Sequence, residues 1–294
     1  MVLDKLFLIC SFISVFCVAQ KKEIQVVLLA GQSNMAGHGN YDTLDAETKQ
    51  RIEKVADRVW LSTSIKSTIA PKPLSFYVST SQSEKYDFTK HFGPELLIGL
   101  TLAEAHPNEQ FLLIKTAVGG TSLYGAWNPN WTQEKANIAE RGAERKSLHL
   151  YRTHLIHFQK ELNRLKSEGQ PYKIIGMVWM QGESDTNKEI TASNYQKNLE
   201  NLITGYRKEV SLPNLPVVIG QVNPLPRKFK QGPGLVRKAM TNIADYDKNI
   251  VVVKTSTDPL WKDYPKHTDN LHYNTEGQKR LGIAFGKALI DLQN

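Results

Sequence analysis

The sequence predicts an α/β protein: one mainly parallel sheet with helices on both faces, a three-layer α/β/α sandwich. Two features of the chain predict it. Short apolar runs at 24–30, 59–61, 111–118, 174–180, 217–222 and 250–254 are rich in Val, Ile and Leu and mostly lack polar alternation. Strands buried on both faces read this way. Amphipathic runs of helical period lie between them, and alternating strands and helices imply right-handed crossovers in one sheet. The size agrees, since 294 residues with 40% hydrophobic content suit a globular chain with a proper core.

The chain opens differently. Residues 6–19 are almost unbroken apolar sequence, with Lys5 before them and Lys21-Lys22 after. About 14 residues is too short to span a bilayer and suits a signal-peptide core. The expectation is a signal peptide over 1–19, cleaved after Ala19, and a single domain over 20–294. An uncleaved anchor is the alternative; cleavage implies a secreted or periplasmic protein without stable membrane insertion. Cys10 and Cys17 are the only cysteines and leave with this segment. The mature chain then has no disulfide, thiolate nucleophile or cysteine metal site.

The formal charge of +8 favours acidic partners in general. The basic residues are scattered, with their densest clusters at 141–146 and 227–230. Neither an RNA-binding signature nor zinc-finger spacing is present, so no nucleic-acid partner is expected.

The helices can be read in order. Gly93-Pro94-Glu95 opens one that runs through Leu96, Leu100 and Ala103, with proline early and an acid in the first turn. Leu148, Tyr151, Leu155, Phe158, Leu162 and Leu165 recur on one stripe. His154 and His157 lie one turn apart on that helix without a third ligand and read as surface residues. Ser193-x-x-Gln196 and Thr275-x-x-Gln278 have capping-box spacing ahead of further apolar stripes. Leu235 to Tyr246 reads as helix. The stretches 62–91 and 119–146 are long for loops, and such loops are usually functional or carry small extra elements.

Four separated segments can carry chemistry. Gly31-Gln32-Ser33-Asn34 follows the first strand. Val118-Gly119-Gly120-Thr121 and Gln181-Gly182-Glu183-Ser184-Asp185 follow two others. Asp269-Asn270-Leu271-His272 precedes the last helix. In a parallel sheet the three strand-end segments share the carboxyl edge, where open α/β sheets bind ligands. Acyl transfer by serine needs a base, a group that orients the base, and donors for the oxyanion. Ser33 is the candidate nucleophile, His272 the base and Asp269 its orienter. The N–H groups of Ser33 and Gly120 and the Gln181 amide are the candidate oxyanion donors. Gln32, Asn34, Tyr124, Trp127 and Glu183 are candidate substrate contacts. Tyr124, Trp127 and Trp131 either offer flat faces to sugar rings or anchor their loop on the core.

These segments, with Gly93-Pro94-Glu95 and Val236-Arg237-Lys238-Ala239, resemble the blocks of the SGNH (GDSL-like) hydrolase superfamily. Within it the chain resembles the sialate O-acetylesterase-related group, which includes the acetyl xylan esterases of carbohydrate esterase family six. The resemblance runs from about Gln25 to Ala288. It implies a flavodoxin-like sandwich on a five-stranded, mainly parallel sheet. It also implies a Ser33–His272–Asp269 triad and an oxyanion hole from Ser33, Gly120 and Gln181. Met180 and Tyr273 stand where members often carry histidine and phenylalanine, and Gln181 replaces the superfamily's usual asparagine. Glu183 and Asp185 have no assigned role, and a Glu183–Arg237 pair is one suggestion.

The expected function is an exported serine esterase acting on O-acetyl groups of an oligo- or polysaccharide, acetyl xylan first, with no metal or organic cofactor. A sialate or other short-chain esterase is the alternative, as is a catalytically silent sugar-binding protein.

Overall fold

The computed structural model describes residues 21–64, 71–74, 85–255 and 263–294. The 1–19 segment with both cysteines, and most of the 62–91 loop, lie outside the described residues.

Strand β1, Ile24–Gly31, is buried at all eight positions. Around it lie β2 (Val59–Ser64), β3 (Lys72–Pro73), β4 (Gln110–Ala117), β5 (Tyr172–Met180), β6 (Val217–Gly220) and β7 (Ile250–Val253). The sheet order is β3-β2-β4-β1-β5-β6-β7. Every pairing is parallel except the short β2–β3 hairpin. The expected sheet of five strands is therefore one of seven among the described residues. The six apolar runs account for six of them; the seventh is the two-residue antiparallel edge strand Lys72–Pro73, which has no apolar run to read.

Alternate residues of β1 feed two cores. Val26, Leu28 and Ala30 pack with α4 (Leu150–Ser167), α5 (Tyr195–Glu209) and α6 (Gly232–Tyr246). Val27 and Leu29 pack with α2 (Ala46–Val55), α3 (Glu95–Ala105) and α7 (Thr275–Asp291). Both faces of the sheet are thus covered, which is why its central strands show no polar alternation.

Several local expectations shift. Helix α2, capped by the Asp45 side chain on Thr48 N–H, is too polar for its stripe of Thr48, Ile52 and Val55 to stand out. The cap of α7 is Asn274, whose side chain accepts from Gly277 N–H, one residue before the expected Thr275. Helix α5 starts at Tyr195 without a side-chain cap, because a separate short helix, Glu189–Ser193, already takes up Ser193. His154 and His157 are buried rather than exposed. His154 Nδ1 lies 2.7 Å from the Tyr206 hydroxyl and His157 Nε2 lies 2.8 Å from Ser62 Oγ. Buried imidazoles are tolerated when such partners satisfy them.

The register sets up the site. Gly31 pairs with Ala117 on one side and Met180 on the other. The three strands therefore end level, and the residues after them meet at one edge. Gly31 must be glycine there, since a Cβ would stand 2.1 Å from the Met180 carbonyl oxygen. The segment 119–146 carries two short helices, Gln133–Ala139 and Gly142–Lys146.

Candidate active site

Ser33 begins the single-turn helix α1, Ser33–Ala36, and is 6% exposed. Its Oγ lies 2.9 Å from His272 Nε2. His272 Nδ1 lies 2.6 Å from Asp269 Oδ2. The other Asp269 oxygen accepts from the Leu271 and His272 N–H groups at 2.9 and 3.0 Å. This turn holds acid and imidazole in one local unit. The chain Ser33–His272–Asp269 can draw the hydroxyl proton onto Nε2 while Asp269 keeps the other proton on Nδ1.

Asn34 joins that unit to the first strand. Its amide nitrogen donates to Glu183 Oε1 at 2.8 Å and to the Leu271 carbonyl at 3.2 Å, and its oxygen accepts from Tyr273 N–H at 3.1 Å. With both ends engaged inside the protein, Asn34 positions the histidine loop. A second brace is the buried pair of Lys115 and Glu95 at 2.5 Å. Lys115 also donates to the Ala36 carbonyl at 2.9 Å, which fixes the end of α1.

Two backbone N–H groups beside the serine are unused. Those of Ser33 and Gly120 have no hydrogen-bond partner among the described residues. A Cβ on Gly119 would lie 3.5 Å from Ser33 Cβ, so the glycine turn packs directly on the serine. Gly120 has φ +72°, which favours glycine. Arg145 Nε donates to the Gly119 carbonyl at 3.1 Å. In a trans peptide that carbonyl and the Gly120 N–H point in opposite directions, so Arg145 sets where the N–H aims.

Gln181 is not brought to this position. It is 0% exposed, and its amide nitrogen donates to Asp185 Oδ2 at 2.7 Å and the Thr121 carbonyl at 2.9 Å. Asp185, four residues on, turns the amide inward. Asp185 also accepts from Leu123 and Tyr124 N–H at 2.8 and 3.0 Å, and burial pushes its carboxyl up to about 7. Its role is to shape the turn after Gly120. Gln32 lines the cavity instead. Its oxygen faces Gln181 Nε2 at 3.3 Å and Ser184 N–H at 3.4 Å, leaving its amide nitrogen without a partner among the described residues.

The cavity encloses about 800 Å3 and is lined by Gln32, Ser33, Gly119, Gly120, Glu183 and His272, together with several cationic side chains. Glu183 holds Asn34 with one oxygen, and burial raises its carboxyl above the usual range. Arg237 does not pair with it, donating instead to the Val222 carbonyl and to Thr255. None of the three rings expected to form an aromatic platform lines the cavity; among the described residues the ring of Tyr86 does, stacked on His38 at 4.9 Å. Trp127 is 0% exposed, edge-on to Trp179 at 5.2 Å, and donates to Thr121 Oγ1. Trp131 stacks on His149 at 3.6 Å. Tyr124 is half-buried and does not line the cavity. The rings of Trp127 and Trp131 anchor their loop.

Sequence reading missed Arg145, Lys85 and His38. Lys85 pairs with Asp269 and lies 3.0 Å from His272 Nδ1. Burial works against the Asp269 carboxylate, but Lys85 and the N–H groups of His272 and Leu271 outweigh it and hold Asp269 below the usual carboxylate range. Burial lowers the His272 imidazole, Asp269 opposes that, and Lys85 adds to it, so the base sits below its ordinary value. His38 stands edge-on to His272 at 4.7 Å. Burial and the neighbouring imidazoles push it down to about 3, so it stays neutral. Among the described residues no three His, Cys, Asp or Glu side chains gather to hold a metal.

A hydrogen-bonded serine, histidine and aspartate at the carboxyl edge of a parallel α/β sheet is the arrangement of serine-dependent acyl transfer. A family described as carbohydrate esterase, sialic acid-specific acetylesterase, matches residues 23–291, and the chain belongs to that family. A probable carbohydrate esterase of Arabidopsis thaliana is 27% identical over 281 residues, 90% of each chain. The solved structure of an Arabidopsis thaliana protein superposes with a TM-score of 0.65 at 21% identity, covering 92% of this chain and 98% of that one. NanS superposes at 0.62 and 14% identity, covering 94% and 99%. A carbohydrate acetylesterase from Xanthomonas citri superposes at 0.59 and 14% identity, covering 91% of this chain and 56% of that one. The three structures share the fold.

Proposed function

We propose that the protein is an exported serine esterase that removes O-acetyl groups from carbohydrates. The observation that carries this reading is the Ser33–His272–Asp269 chain at the cavity, in a member of a carbohydrate esterase family. Ser33 Oγ attacks the acetyl carbonyl as its proton passes to His272 Nε2. The oxyanion accepts hydrogen bonds from the Ser33 and Gly120 N–H groups. Collapse breaks the ester bond, and the sugar oxygen leaves with the proton from His272. Water, deprotonated by His272, then attacks acetyl-Ser33 and releases acetate. Asp269 holds the tautomer and stabilises the imidazolium.

The test is acetate release from a chromogenic acetate ester and from acetylated glycans. Ser33→Ala is expected to lose roughly 10³-fold or more in kcat, with the circular dichroism spectrum unchanged. A near-normal rate in that variant would exclude the serine mechanism. Acetate esters are expected to outrun octanoate esters. A sialoside is the second glycan to try, because of the family description; plain xylan loses the support of an aromatic platform, since Trp127 and Trp131 are occupied elsewhere.

A further inference from the structure

The cavity lining is strongly one-sided in charge. Arg141, Arg145, Lys188, Arg227 and Lys228 all line it. They come from three places: around the short helix Gly142–Lys146, just before the helix Glu189–Ser193, and ahead of α6. None is in an ion pair among the described residues. Two are held by carbonyls, although Arg145 also lies within electrostatic reach of the buried Glu140 carboxyl. Lys188 Nζ donates to the Ile138 carbonyl, and Arg145 donates to those of Gly119 and Arg141. The one carboxylate in the lining, Glu183, is turned to Asn34. A sixth cation, Lys85, is paired with Asp269.

Like charges around one concavity repel one another, and its walls focus their field. A neutral glycan offers nothing to offset that repulsion; an anionic one does. Arginine adds geometry, since its planar fork matches carboxylate and sulfate oxygens. Cations from three segments around about 800 Å3 also exceed what a single acidic group engages. That volume lies in the upper part of the roughly 300–1,000 Å3 range of small-molecule sites.

We propose that the acetylated glycan taken by this site is itself polyanionic, with carboxylate or sulfate groups on sugar units near the ester seated against Arg141, Lys188, Arg227 and Lys228. The inference rests on the esterase reading for the bond that is cleaved, and on the lining for the charge. It replaces ring stacking by ion recognition as the source of glycan affinity.

Binding and turnover test it separately. Ser33→Ala protein is titrated calorimetrically with an oligogalacturonate, a sulfated xylo-oligosaccharide and a neutral xylo-oligosaccharide of equal length. At least one charged probe is expected to bind about tenfold or more tighter than the neutral one at low salt, with the advantage shrinking as salt rises. Which charged probe wins identifies the anionic group. Adding Arg141→Gln, Lys188→Gln, Arg227→Gln and Lys228→Gln together is expected to remove the advantage. Arg145 is left intact because it sets the Gly120 N–H. Wild-type kcat/KM on acetylated forms of the same glycans should follow the same order. Equal binding of all three probes overturns the inference, as does a charge preference that survives in the quadruple variant. Acetate release from no ester, with charged probes still bound, removes the esterase reading and leaves the anionic ligand standing.

Discussion

His272 works as a base only while it is neutral, and its surroundings keep it so. Burial and the Lys85 ammonium disfavour its proton, while Asp269 favours it. The pKa is lowered, so activity is present above it and falls as pH drops through it, below the ordinary imidazole range. Replacing Lys85 by Ala removes a positive neighbour and makes the imidazolium easier to form. The acid limb of the kcat/KM profile is expected to move to higher pH; an unmoved limb would show that Lys85 does not act on the base. Arg145 is the second residue whose role depends on geometry. It holds the Gly119 carbonyl and through it the Gly120 N–H, a donor that matters most when charge develops on the oxyanion. Arg145→Met should lower kcat on a small neutral acetate ester by about ten- to a hundredfold, with little change in KM. At this scale the Asp269-x-x-His272 unit was legible because its parts are three residues apart in one turn. Arg145 was visible only as part of a basic run, because its partner carbonyl lies 26 residues away.

The elements contribute alignment. Strands β1, β4 and β5 end level, and a residue longer than glycine at position 31 would break that. Gly31→Ala is expected to displace the Ser33 turn or push β5 away, since the new Cβ would overlap the Met180 carbonyl. Large losses of both activity and thermal stability should follow; a variant with wild-type Tm and kcat would refute the close approach. The Lys115–Glu95 pair ties β4 to α3 and to the end of α1. Lys115→Met leaves Glu95 buried without its cation and is expected to cost about 3–5 kcal/mol in denaturant unfolding. The six apolar runs and most of the helices were readable from period alone. The caps were not, because Asn274 and Thr275 are both good capping residues and only the entry angle of the chain selects between them.

For the whole molecule, the proposal of export rests on the amino terminus alone. The apolar run 6–19 before Lys21-Lys22 is expected to be removed on export, giving a mature protein beginning near Gln20. Amino-terminal sequencing of secreted protein checks this, and an intact Met1 on membrane-embedded protein would exclude it. Among the described residues no helix is long and apolar enough to cross a membrane.

The sequence by itself determined the class of fold, the order of its central strands along the chain, and the serine, aspartate and histidine that meet at the sheet edge. Apolar period records which backbone is buried, and a strand end followed by Gly-x-Ser or Gly-Gly records where it must turn. Tertiary structure alone decided where the remaining side chains point. Gln181 turns to Asp185 and Thr121 rather than to the oxyanion, and Trp127 turns to Trp179 rather than to a sugar. Likewise Arg141, Lys188 and Arg227, scattered along the chain, come to line one cavity. Each of these depends on contacts between segments tens of residues apart or on competition among several good partners. Such choices are settled by packing, which local period and spacing do not encode.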